Sequence, residues 1–216
     1  MIYVRMLITI AVFACIALVA LLFAGLPGPA AAAKFIASSA FITLALYSGA
    51  LTSVYGRLIL AGLALSWCGD MFLVGHSRMA FLAGLAAFLL AHVAYVTAFV
   101  RHGYARRWVL VAAVPVTAIA IGVFVWLAPH TPPDLLNPVR AYIAVISVMV
   151  IFAIGTQGRG GSRLIVAGAI MFFLSDLSVA SLRLVQTDYP TYLIGLPLYY
   201  AGQVCLALSS AQSRSQ

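Results

Sequence analysis

RLILAGLALSWCGD at residues 57–70 and RLIVAGAIMFFLSD at residues 163–176 decide how this chain is read. Arginine, Leu-Ile, Ala-Gly and aspartate recur at one spacing, with thirteen positions from Arg57 to Asp70 and from Arg163 to Asp176. Each block lies in an apolar run of the length a bilayer crossing needs, roughly 20 residues. A carboxylate at that depth is costly unless it is protonated, paired or wetted, so it reads by default as functional. The chain holds four acidic residues in all, and the other two, Asp134 and Asp188, fall in polar connections. Asp70 and Asp176 are therefore the candidate catalytic pair.

The correspondence continues past the carboxylates. FLAGLAAFLLAHV at 81–93 aligns with YLIGLPLYYAGQV at 192–204, and His92 falls opposite Gln203. The offset between the blocks grows by five residues, which places the extra length in the connection around 186–191. A duplicated helical unit commonly forms a binding site between its halves. Helix packing through small residues explains the glycines and alanines, but not the matched Arg, Asp and His/Gln positions.

Composition sets the class. Hydrophobic residues make up 65% of the chain and charged residues 7%, with a mean hydropathy of +1.13; a soluble domain is excluded. Eight segments are apolar enough to span, near 3–24, 31–52, 57–75, 79–100, 108–128, 138–156, 162–184 and 190–210. Breaks fall at turn chemistry: Gly25–Pro29, Gly75–Arg78, Arg101–Arg107, Pro129–Pro133 and Gly158–Ser162. Short alternating segments of a membrane β-barrel are absent. The first segment is longer than the roughly 7–15 residues of a signal core and is expected to stay as a membrane helix. The expected fold is an all-α integral membrane protein, one polytopic domain over 1–216. Its eight transmembrane helices would form two parallel four-helix repeats, about 1–100 and 108–210, around a polar intramembrane cavity.

The net charge of +8 reads as topology. Arg5, Arg57, Arg101, Arg106, Arg107, Arg159, Arg163 and Arg214 fall on one side, against Lys34, Arg78, Arg140 and Arg183 on the other. This bias places both termini in the cytoplasm, with a bacterial inner (plasma) membrane as the expected location. Apart from the short 101–107 loop there is no compact basic patch, so nucleic acid is not an expected partner. Cys15, Cys68 and Cys205 all lie within spans without metal-ligand spacing and read as packing residues.

Thirteen residues of helix rise about 20 Å, so both aspartates are expected in the outer half of the membrane, level with each other. The same reckoning puts His92 and Gln203 about 10 Å deeper. Tyr95, Tyr142, Tyr199 and Tyr200 add hydroxyls at membrane depth. The duplication predicts an asymmetric surround: His92 with Tyr95 around one carboxylate, Tyr200 with Gln203 around the other. Lys34, Arg78 and Arg183 are expected at one membrane face, where helix-end cations commonly snorkel. Two carboxylates sharing a low-dielectric pocket can keep one proton between them, which supplies a general acid and a general base together. The same physics serves proton-coupled transport, and either aspartate could instead hydrogen-bond neighbouring helices in a non-catalytic lipid-binding protein.

LSWCGDMFLV at 65–74, FLAGLAAFLLAHVAYVTAF at 81–99, GAIMFFLSDLSVASLRL at 168–184 and PLYYAGQVCLAL at 197–208 resemble the YhhN-like membrane family, which includes the lysoplasmalogenases. Ala-His-x-x-Tyr at 91–95 and Tyr-Tyr-x-x-Gln at 199–203 carry the resemblance together with the two aspartate motifs. Lys34 is similar to the family's lysine, although Phe35 stands where a proline is expected. The resemblance implies hydrolysis of the vinyl ether bond of a lysoplasmalogen to a fatty aldehyde and a glycerophospho-alcohol. Asp70 and Asp176 would then be catalytic, Lys34, Arg78, Arg183, Tyr142 and Tyr200 would bind substrate, and His92, Tyr95, Tyr199 and Gln203 would support them. Such chemistry calls for no metal, covalent nucleophile or nucleotide cofactor, and the expected partners are a lysophospholipid and membrane lipids.

Overall fold

Leu7, Ala11, Cys15 and Leu18 recur once per turn along the first segment and are buried, while Phe13 and Ile16 between them face outward. A helix that is apolar on every side is suited to lipid outside and packing inside. The pattern holds throughout the computed structural model, which describes residues 2–75 and 77–211. Eight α-helices follow in order: α1 Ile2–Phe23, α2 Pro27–Tyr47, α3 Val54–Phe72, α4 Arg78–His102, α5 Arg106–Leu127, α6 Leu136–Gln157, α7 Arg163–Ala180 and α8 Tyr192–Ser209. No strand occurs among the described residues. All but α3 are long and apolar enough to cross a membrane. The 19-residue α3 carries Arg57 and Asp70, which lower its hydropathy. Arg214, counted above toward the cytoplasmic side, lies outside the described residues.

One boundary differs from the sequence expectation, and it matters for the site. The Gly25–Pro29 segment was expected as a break, but Pro27 begins α2. Proline suits the first helical position, where its missing N–H would have no intrahelical partner and its φ is already helical. Lys34 therefore sits about two turns inside α2 instead of at its head. The seventh segment ends close to where it was expected: α7 runs on through a π-helical turn, Ser181–Val185, and stops where Gln186 turns left-handed at φ 55°.

Sequential helices pair as α1·α2, α3·α4, α5·α6 and α7·α8; α2 also meets α3 as α6 meets α7, and α4 packs on α6 as α8 packs on α2. Glycine allows the closest approaches. A Cβ on Gly168 would lie 3.0 Å from the carbonyl oxygen of Gly202, and one on Gly202 equally close to that of Gly168, so α7 and α8 meet backbone to backbone. Gly62 makes room for the ring of Tyr95 in the same way. Both glycines belong to the recurring Ala-Gly of the two opening blocks. Phe41, Tyr95, Phe99 and Phe172 fill the centre, fully buried.

Candidate active site

Asp70 is two residues from the end of α3 and buried. Its Oδ2 accepts hydrogen bonds from Ser38 Oγ at 2.6 Å and Tyr199 Oη at 2.7 Å, and Lys34 Nζ lies 3.6 Å from Oδ1. Lys34 and Ser38 are four residues apart, hence on one face of α2. Tyr200 Oη is 3.2 Å from the Ser38 hydroxyl, so α8 touches this carboxylate both directly and through α2. Asp176 has a different surround. Tyr142 of α6 donates to its Oδ2 at 2.7 Å, and His92 Nε2 of α4 stands 3.5 Å from the same oxygen. The His92 and Tyr142 rings meet edge to face at 5.2 Å between centroids, and Phe172 packs on His92 at 4.6 Å. The Phe172 and Tyr199 rings, perpendicular at 5.4 Å, form the aromatic wall that joins the two halves of the site.

Both aspartates line one pocket of about 430 Å³, together with Lys34, Tyr142, Tyr199 and Arg183. Its remaining walls are mainly apolar, with Leu18, Leu22, Leu127 and Ile143 among them. A second hollow is lined by Arg78, Phe81, His130 and Arg183, and shares Phe81, Arg183 and Leu184 with the first. Arg183 lies over the Phe81 ring at 6.0 Å. Arg78 pairs with Asp134, both well exposed.

Several expectations need correction. Lys34 was placed at the membrane face with Arg78 and Arg183, yet it reaches Asp70, because α2 starts at Pro27. His92 was placed about 10 Å deeper than the aspartates. Counted from the end that α4 and α7 share, Asp176 is thirteen residues in and His92 ten; the rise between them is about 5 Å, which the side chains close. The structure keeps His92 beside Asp176 and Tyr200 beside the Ser38 that bonds Asp70, and changes the rest of the expected grouping. Tyr95 donates to Gln203 Oε1 at 2.8 Å and not to a carboxylate, and Tyr199 is what reaches Asp70.

The YhhN family model matches residues 30–210. The chain belongs to the YhhN family. Among curated relatives it is 32% identical over 163 residues to the pig protein named lysoplasmalogenase TMEM86B, a match covering 74% of this chain and 66% of that one. To human lysoplasmalogenase TMEM86A it is 31% identical, over 72% and 66% of the two chains. To the Mycobacterium bovis lysoplasmalogenase it is 34% identical, over 56% and 47%. The match thus spans about two thirds of the length of the mammalian relatives. No solved structure gives a significant match. In this YhhN protein the residues the sequence reading missed are Ser38 and Asp134. Ser38 had a usable signal in its four-residue spacing from Lys34; Asp134 had one only as the acid nearest the expected basic face.

Proposed function

We propose that this protein is a membrane-embedded hydrolase that cleaves the vinyl ether bond of lysoplasmalogens, alkenyl-glycerophosphoethanolamine or -choline, to a fatty aldehyde and a glycerophospho-alcohol. The observation that carries the reading is one pocket lined by both aspartates, by apolar walls suited to an alkenyl chain, and by Arg183. The names of the relatives supply the substrate class. Protonation of the vinyl ether at its β-carbon creates an oxocarbenium ion; water adds, and the hemiacetal collapses to aldehyde and alcohol. We assign the proton to Asp176, which has one hydroxyl donor and His92 beside it. Asp70, facing two hydroxyl donors and an ammonium group, suits the ionised role of stabilising the cation and activating water, because such donors favour a carboxylate. Arg183, with Arg78 beyond it, would hold the phosphate.

The wider arrangement belongs to the same proposal. The chain is read as two parallel four-helix repeats, about 1–100 and 108–210, around a polar intramembrane cavity. Supporting this, α8 contributes Tyr199 to the Asp70 of the first half, and α4 contributes His92 to the Asp176 of the second. Both termini are placed in the cytoplasm, in a bacterial inner membrane. The experiment is incubation of purified protein in detergent with 1-alkenyl, 1-alkyl and 1-acyl lysolipids. Aldehyde released from the alkenyl lipid alone is the expected result. No aldehyde from any of them, with the protein folded, would overturn the reading in favour of transport or lipid binding.

A further inference from the structure

Lys34 is the only lysine in the sequence; the other eleven cationic side chains are all arginine. Arginine would serve as well or better for an ion pair with a buried carboxylate. An amine offers chemistry that a guanidinium does not, since it condenses with carbonyl compounds to form a Schiff base. The Lys34 side chain is 15% exposed, and lines the pocket with Asp70, Asp176 and the apolar walls. An aldehyde with a long alkyl tail would place its carbonyl among these polar groups and its tail among Leu18, Leu22 and Leu127.

We infer that Lys34 is a covalent aldehyde-binding site, forming a reversible imine with long-chain fatty aldehydes held in the pocket. The inference rests on the hydrolase reading for the source of the aldehyde, but its test does not. In the forward step the Lys34 ammonium gives one proton to Asp70 Oδ1, 3.6 Å away. The freed Nζ lone pair attacks the carbonyl carbon, and the nitrogen's second proton passes to the carbonyl oxygen, giving a carbinolamine. Asp70 returns its proton to the carbinolamine hydroxyl, which leaves as water as the C=N bond forms. Addition of water reverses each step and frees the aldehyde; no oxidant or reductant is consumed. Such a bond would retain a reactive, poorly soluble product at the site until it is hydrolysed.

The test treats the full-length protein in detergent with hexadecanal, or with propanal, in the presence of cyanoborohydride, followed by intact-mass and peptide analysis. Reduction fixes the imine as a secondary amine. The expected result is one hexadecyl group, mapped to Lys34, absent from Lys34→Arg. Half-labelling should need at least about tenfold less hexadecanal than propanal, because each buried methylene favours the longer chain. No adduct, an adduct at the N-terminal amine alone, or equal labelling by the two aldehydes would overturn the inference. Lysolipid turnover is measured on the same preparation. Turnover without an adduct sinks the aldehyde site and leaves the hydrolase reading standing; an adduct without turnover does the reverse.

Discussion

Each aspartate is defined by what donates to it. Asp70→Asn and Asp176→Asn keep side-chain volume but remove the acid–base function proposed for the pair, so each should lower turnover by about 10²–10⁴-fold, the usual contribution of such catalysis. Size-exclusion elution should stay unchanged, and wild-type activity in either variant would remove that residue from the mechanism. Ser38→Ala deletes the 2.6 Å hydrogen bond to Asp70. A hydrogen bond to a charged group contributes about 1.5–3 kcal/mol, so kcat should fall about ten- to hundredfold. A full-rate Ser38→Ala would show that Tyr199 and Lys34 suffice. His92→Gln should slow the reaction without erasing it, since glutamine can still face Asp176 but lacks the ring that packs on Tyr142 and Phe172. Complete loss of chemistry with substrate binding intact would instead make His92 the proton carrier.

At the level of the helices, the recurring Ala-Gly motif is a packing device. Gly62 and Gly168 stand where any Cβ would meet Tyr95 or the α8 backbone. Alanine at either position should destabilise the protein by about 1–3 kcal/mol through overpacking, read as a lower melting temperature in detergent. Gly122 in α5 has open space around it and is the control. Gly122→Ala should leave the melting temperature unchanged or raise it, because alanine is the better helix former. Equal losses at all three positions would mean that helix propensity, and not close approach, governs them. The Pro27 start of α2 acts at the same scale. It moves Lys34 inward by about one turn from the expected start at 31, and Lys34 stands as a partner of Asp70 instead of a surface cation.

For the whole molecule, the hollow that holds both aspartates adjoins a second, and the two share Phe81, Arg183 and Leu184 in their linings. Arg183 lies on both, whereas the charge of Arg78 is already paired with Asp134. Arg183→Gln should therefore raise KM for a phospholipid substrate severalfold with kcat largely kept, the signature of binding lost equally in ground and transition states. Arg78→Gln should do so less, since Arg78 lines only the second hollow and its guanidinium faces Asp134. If neither variant changes KM, both arginines are snorkelling residues, and the phosphate is held elsewhere.

Class, helix number and the carboxylate pair were legible in the chain itself. Apolar runs of spanning length leave a helix as the structure that satisfies its own backbone hydrogen bonds in lipid. An aspartate inside such a run stands out against that uniform background. The shared Arg-to-Asp spacing of α3 and α7 was likewise legible, since it depends only on order along the chain. What surrounds each carboxylate was decided by tertiary structure. Periodicity places Tyr199 and His92 on helix faces, but which face meets Asp70 or Asp176 depends on how α8 crosses α2 and α4 crosses α6. The close approach of Gly168 and Gly202 seats α8 on α7, whereas the α8–α2 and α4–α6 contacts join helices far apart in the chain, which no local pattern encodes. The deep position of Lys34 came from a helix start that a proline-rich segment allowed and its composition did not announce. Ser38 carries the same lesson: one hydroxyl among many in the chain is given its meaning by a carboxylate 32 residues away.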